Sequence, residues 1–151
     1  MGTGDEPARR GALRGIVQDE RYFEEEIAPK VDGERVSFLG PVGPERRGRV
    51  LGGAAALLHP ITFDEPFGLS VVEAMACGTP VVAYRRGSMA EVVDPGVTGF
   101  LVDSLDEAVT AVARIATIDR ERCRAQAERR FSADRMVASY LRIYREILGQ
   151  K

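Results

Sequence analysis

From Arg35 onward, short apolar runs alternate with stretches of helical periodicity, and that rhythm constrains the fold more tightly than any other feature of the 151 residues. A short apolar strand followed by a helix and then by another short strand is a βαβ unit, and such units build parallel sheets. The strand candidates are residues 35–39, 55–59, 80–84 and 99–102, each close to a Gly or Pro that breaks the run. Helical patterns fall at 45–53, 69–77, 88–93, 105–116, 119–130 and 132–148, so helices occupy the connections and the C-terminal third. The expected class is α/β, a small four-stranded parallel sheet flanked by helices. Ser104 and Ser132 stand at N-cap positions, and Glu107, three residues after Ser104, completes a capping box.

The opening stretch breaks this pattern. Residues 1–21 are rich in Gly, Arg and acidic residues with little periodicity, and residues 22–30 make at best a short helix closed near Pro29. The acidic run Glu24, Glu25, Glu26 reads as a solvated helix face. Three segments result: a partly irregular 1–34, an α/β body over 35–130, and a closing helix over 131–151. In that helix Met136, Tyr140, Ile143, Tyr144 and Ile147 recur at spacings of three and four, as a packing stripe does.

Charge and composition exclude several classes. Lys and Arg number 21 against 23 Asp and Glu, so no global cationic field draws in nucleic acid or an anionic membrane, and any phosphate must be held locally. No apolar run reaches the ~20 residues of a membrane span. The first ten residues are polar and lack a signal-peptide core, so a cytoplasmic location is expected. Neither Cys77 nor Cys123 has a Cys or His at metal-ligand spacing, and both are expected to be reduced. His59 is the single histidine and reads as a strand-end residue near a pocket rim; no metal site and no Ser-His-Asp triad is expected. No Gly-x-Gly-x-x-Gly follows a strand, which argues against a dinucleotide-dependent oxidoreductase.

The informative segment runs from His59 to Ala83 and reads strand end, loop, helix, strand. Ligands of open α/β sheets bind outside the carboxyl ends of the strands, where this loop lies. Pro66 and Gly68 stop the helix from extending back through Glu65, so it begins near Phe67 to Leu69 with unpaired N–H groups pointing outward. Those donors and the positive end of the helix dipole suit a phosphate or a sugar hydroxyl. On a wheel of about 100° per residue, Val72 and Ala76 fall within about 60° of Leu69, and Glu73 at about 40°, inside the same apolar stripe. A carboxylate there needs donors, either from the protein or from a ligand bearing hydroxyls, such as a ribose diol. Glu65, just ahead of the helix, is favoured by the dipole and can accept from the hydroxyls of a second group. Gly78, Thr79 and Pro80 read as the turn into the next strand, and Gly87, Ser88 and Glu91 as a turn and helix start, with contact to the pocket as the alternative.

Glu65 and Glu73 with seven residues between them, set in Glu-Pro-Phe-Gly-Leu-Ser-Val-Val-Glu-Ala-Met-Ala-Cys-Gly-Thr-Pro-Val-Val-Ala, resemble the signature of the family-4 retaining glycosyltransferases. The likeness extends through Phe38-Leu-Gly-Pro-Val, Gly87-Ser-Met-Ala-Glu-Val-Val, Gly96-Val-Thr-Gly-Phe-Leu-Val and the closing Phe131-Ser helix, covering roughly residues 35–148. It implies the C-terminal, Rossmann-like half of a GT-B fold, with residues 1–34 as a remnant of its first βα units and the closing helix 131–151 packing on that half or toward the missing N-terminal domain. It also implies transfer of a glycosyl group from a UDP- or GDP-sugar to a hydroxyl acceptor with retention. Carried across, Glu65 is the catalytic-site acid holding the transferred sugar. The backbone N–H groups of Phe67, Gly68, Leu69 and Ser70 meet sugar and diphosphate, Glu73 takes the ribose hydroxyls, and Gly40, Pro41 and Val42 line the nucleobase. No cofactor or metal is implied. The acceptor is expected to sit mainly on an N-terminal domain outside this chain, which is read as an N-terminally truncated fragment, inactive alone. The phosphate-binding Arg and Lys of the family have no assignable counterpart. The alternative is a non-catalytic nucleotide-binding or interaction module of the same fold.

Overall fold

The computed structural model describes residues 17–149, in two compact units divided between Arg47 and Gly48. In the first, α1 (Val17–Tyr22) runs into a wider π turn over Phe23–Ile27, where the Ala28 N–H donates to the Phe23 carbonyl, and then a 3-10 turn over Ala28–Lys30 carries Pro29. The N–H groups of Glu34, Arg35 and Val36 all donate to Oδ1 of Asp32, at 2.8–2.9 Å. Those bonds, the one from Val36 foremost, hold the exposed Asp32 carboxyl below its ordinary range. The expected strand over 35–39 does not form. A strand needs a neighbour to share its ladder, and the Val36 carbonyl is instead taken by the N–H groups of Asp32 and Gly33. Phe38 of this extended segment packs its ring on Phe23, centroids 4.6 Å apart. Pro44 then opens α2 (Pro44–Gly53), within which the division of units falls.

In the second unit the other three strands form: β1 (Leu57–His59), β2 (Val81–Tyr84) and β3 (Gly99–Val102), all parallel and in that spatial order. The register pairs Leu57 with Val81 and Val81 with Gly99. Between them lie α3 (Leu69–Ala76) and α4 (Met89–Val92), and after β3 come α5 (Leu105–Ala113), a 3-10 turn at Ile115–Thr117, α6 (Arg120–Phe131) and α7 (Ala133–Ile147). Alternation along the strands sorts two faces. Val81, Ala83, Leu57 and Leu101 meet Val71, Ala74, Met75, Met89, Cys123 and Ala127 of α3, α4 and α6. Val82, Tyr84 and Val102 meet Ala108, Ala111 and Ile115, from α5 and the turn after it. Both crossovers advance in one direction across the sheet, so their right-handedness puts α3 and α4 on the same face and leaves the other to α5.

The caps follow the sequence closely. Ser104 Oγ accepts the Glu107 N–H at 3.2 Å, while the Glu107 carboxylate takes the Asp103 N–H at 2.8 Å. Asp119 caps α6 by accepting from Glu121 and Arg122, and Ser132 caps α7 by accepting from Arg135. At the amino ends of the strands Arg120 donates to the carbonyls of Gly52 and Ala54, both at 2.7 Å, and to Thr79 Oγ1 at 3.0 Å. Thr79 in turn donates to the Leu51 carbonyl at 2.6 Å, so the orphan carbonyls that end α2 are satisfied from across the unit.

Candidate functional site

Parallel strands deliver their outgoing loops to one rim of the sheet. Here the loop leaving β1, residues 60–68, is fastened to the loop leaving β2, residues 85–88. Asp64 Oδ1 accepts the Gly87 N–H at 3.2 Å, and the Glu65 carbonyl accepts the Ser88 N–H at 2.9 Å. Gly87 has φ +51°, and a Cβ there would lie 2.4 Å from the Glu65 carbonyl oxygen, so the approach admits only glycine.

This contact fixes Glu65. Its side chain folds toward the start of α3, where Oε1 accepts the N–H groups of Gly68 at 3.1 Å and Phe67 at 3.4 Å. Oε2 takes no hydrogen bond from the described residues. Gly68, at φ +84°, is the left-handed residue from which α3 departs. The N–H groups of Val71 and Val72 return to the Gly68 carbonyl, whereas those of Leu69 and Ser70 donate to nothing among the described residues. Of the four backbone donors expected to face a ligand, two are therefore turned to Glu65 and two are open.

The helix wheel needs correcting. The face of α3 packed on the sheet is Val71, Ala74 and Met75, each fully buried, while Leu69 is 69% exposed and Ala76 is exposed. Glu73 and Val72 are half-buried, on the flank between the two. Every position of Leu-Ser-Val-Val-Glu-Ala-Met-Ala except Ser70 and Glu73 is apolar, so the sequence offers two stripes and the sheet selects one.

Two polar atoms in this region are buried with no hydrogen-bond partner among the described residues, His59 Nε2 and Ser88 Oγ. Burial pushes the His59 imidazole below its usual pKa, opposed by the negative charge of Glu65. Asp64 carries no site signal in the sequence and Ser88 reads there as a turn residue with pocket contact as the alternative; the meeting of the two loops brings both to Glu65. Gly40, Pro41 and Val42 lie on the extended stretch ahead of α2 in the first unit, Gly40 with φ +63° and Pro41 exposed. The cavities beside β2, β3 and α5 are lined by other residues. Among the described residues no three His, Cys, Asp or Glu side chains gather as a metal site would require, and both cysteines are free.

Residues 11–130 match the family described as glycosyl transferases group 1. The chain belongs to that family. It is 39% identical over 118 residues to the D-inositol 3-phosphate glycosyltransferase of Mycolicibacterium smegmatis, covering 72% of this chain and 27% of that protein. Among solved structures it resembles HepE of Anabaena in complex with UDP-glucose, with a TM-score of 0.68 and 28% identity over 86% of this chain and 38% of that one. It also resembles sucrose-phosphate synthase from Thermosynechococcus elongatus, with a TM-score of 0.72 and 29% identity over 87% of this chain and 35% of that one. The parallel sheet and its helices are thus those of a GT-B glycosyltransferase domain. The chain spans little more than a quarter of the curated relative's length and just over a third of the two structures'. Among the described residues no helix is long and apolar enough to cross a membrane.

Proposed function

We propose that this chain is the donor-binding half of a family-4 retaining glycosyltransferase, taking a UDP- or GDP-sugar in the cytoplasm for transfer to a hydroxyl acceptor. The observation that carries the reading is Glu65. Its carboxylate is clamped by the Gly68 and Phe67 N–H groups with Oε2 left over, beside the open Leu69 and Ser70 N–H groups of α3. A carboxylate so held accepts from sugar hydroxyls, while the helix start faces negative charge that grows on the departing diphosphate. His59 Nε2 and Ser88 Oγ, buried without a partner among the described residues, lie beside the same loop. Glu73, one helical turn beyond the open donors, is assigned to the ribose hydroxyls, and Gly40, Pro41 and Val42 to the base. HepE, whose structure is in complex with UDP-glucose, supports a uridine donor. The acceptor is assigned to the portion of the relatives that this chain does not span.

Calorimetry with UDP and GDP tests this. The expected result is a measurable affinity for one of them that weakens about tenfold, on the scale of 1.4 kcal/mol, in Glu73→Ala. No heat from either nucleotide would favour a non-catalytic module of the same fold.

A further inference from the structure

The rim that carries Glu65 has a second feature that the donor assignments leave unused. A polar cavity of about 140 Å³ opens at the carboxyl ends of β2 and β3, lined by Thr62, Tyr84, Arg85, Arg86, Val102 and Asp103. That is the share of about five waters at ~30 Å³ each, room for a phosphoryl group but not for a nucleoside. Its backbone is fixed at several points: the Arg85 N–H donates to the Val102 carbonyl at 3.0 Å, the Arg86 N–H to Tyr84 at 2.8 Å, and the following Gly87 N–H to Asp64. Two guanidinium groups therefore project from a braced turn beside the donor loop, at the rim where ligands of parallel sheets bind.

Charge decides what fits. Arg85 reaches Asp103 at 3.4 Å through Nε, a long contact between side chains 50% and 63% exposed, and one that leaves its terminal nitrogens without a partner among the described residues. The Arg86 side chain has neither ion pair nor hydrogen bond among the described residues, and the same holds for the Thr62 hydroxyl. Among the residues that line the cavity, two cations stand against one carboxylate. Paired guanidinium forks match the geometry of phosphoryl oxygens.

We propose that Arg85, Arg86 and Thr62 form an oxyanion subsite for a phosphoryl group of the ligand bound at this rim. It rests on the donor-site reading for its role in transfer, though not for the binding itself. The phosphoryl group belongs either to the donor's diphosphate or to a phosphorylated acceptor.

The test titrates the chain with inorganic phosphate and, separately, with UDP at low salt, following amide shifts by NMR. Wild type is expected to bind phosphate with shifts at Arg86, Gly87 and Ser88. The exposed pair Arg85→Gln/Arg86→Gln, its fold checked by circular dichroism, is expected to lose at least tenfold in affinity, and Asp103→Asn to gain severalfold. If UDP weakens in parallel in the double variant, the subsite serves the donor's diphosphate; if UDP is unchanged while phosphate weakens, it serves an acceptor phosphate. Phosphate affinity that is equal in wild type and the double variant overturns the proposal. Arg-dependent phosphate binding together with no UDP binding sustains the subsite and defeats the donor reading instead.

Discussion

His59 shows at the scale of one residue how this rim stores unmet bonding. Its Nε2 is buried without a partner among the described residues, and burial lowers its pKa from the ordinary 6.5. The unfolded chain then binds a proton that the folded one refuses, so the contribution of His59 to stability is complete above about pH 6.5. It is lost as pH falls from there toward the lowered folded value. The melting temperature should drop between pH 7 and 5, and His59→Gln, which does not titrate, should show a shallower drop; equal slopes would remove His59 as the cause. The two thiols differ for a related reason. Cys123 is fully buried and its pKa is pushed up to about 11, whereas Cys77, at the end of α3, is half-buried. Because the thiolate is the nucleophile, a disulfide reagent at pH 8 should modify Cys77 while Cys123 reacts only on unfolding. Simultaneous modification of both in the native state would contradict the burial. At this scale Glu65 and Glu73 stand out in the sequence by type and spacing. The sequence does not show that Glu65 takes two N–H groups of its own loop, since that depends on the left-handed Gly68 turning them back.

Single elements owe their bounds to local chemistry and their environment to distant contacts. Ser104, Asp119 and Ser132 start their helices where the residue pattern places them, because a cap is satisfied within four residues. The stretch 35–39 has the alternation of a strand and is not one, because a ladder needs a second strand and none is offered there among the described residues. The C-terminal end of α2 depends on Arg120, some 66 positions away in sequence, and on Thr79. Arg120→Ala removes three hydrogen bonds made by a charged donor. At this partly exposed position it is expected to cost about 1–3 kcal/mol in urea denaturation, with Arg120→Lys recovering only part. A loss below about 0.5 kcal/mol would mean that water replaces the guanidinium freely.

For the whole molecule, the cooperative core belongs to β1–β3 with α3, α4, α5 and α6, and α7 contributes no buried residue. Its stripe of Met136, Tyr140, Ile143, Tyr144 and Ile147 is 41–74% exposed, so the expected packing face is present but uncovered by the described residues. Removal of residues 133–151 should therefore shift the unfolding free energy of the remainder by no more than about 1 kcal/mol. A large loss in chemical denaturation would show that α7 shares in the core. The sequence by itself determined the α/β class, three of the strands, the helix caps and the family signature around Glu65, because each rests on spacing, periodicity or turn chemistry within a few residues. Only the tertiary structure decided which stripe of α3 faces the sheet and that the loops after β1 and β2 lock at Gly87. It alone joined Arg85 and Arg86 with Thr62 around one cavity, because these outcomes depend on which strands become neighbours, and no local pattern encodes that.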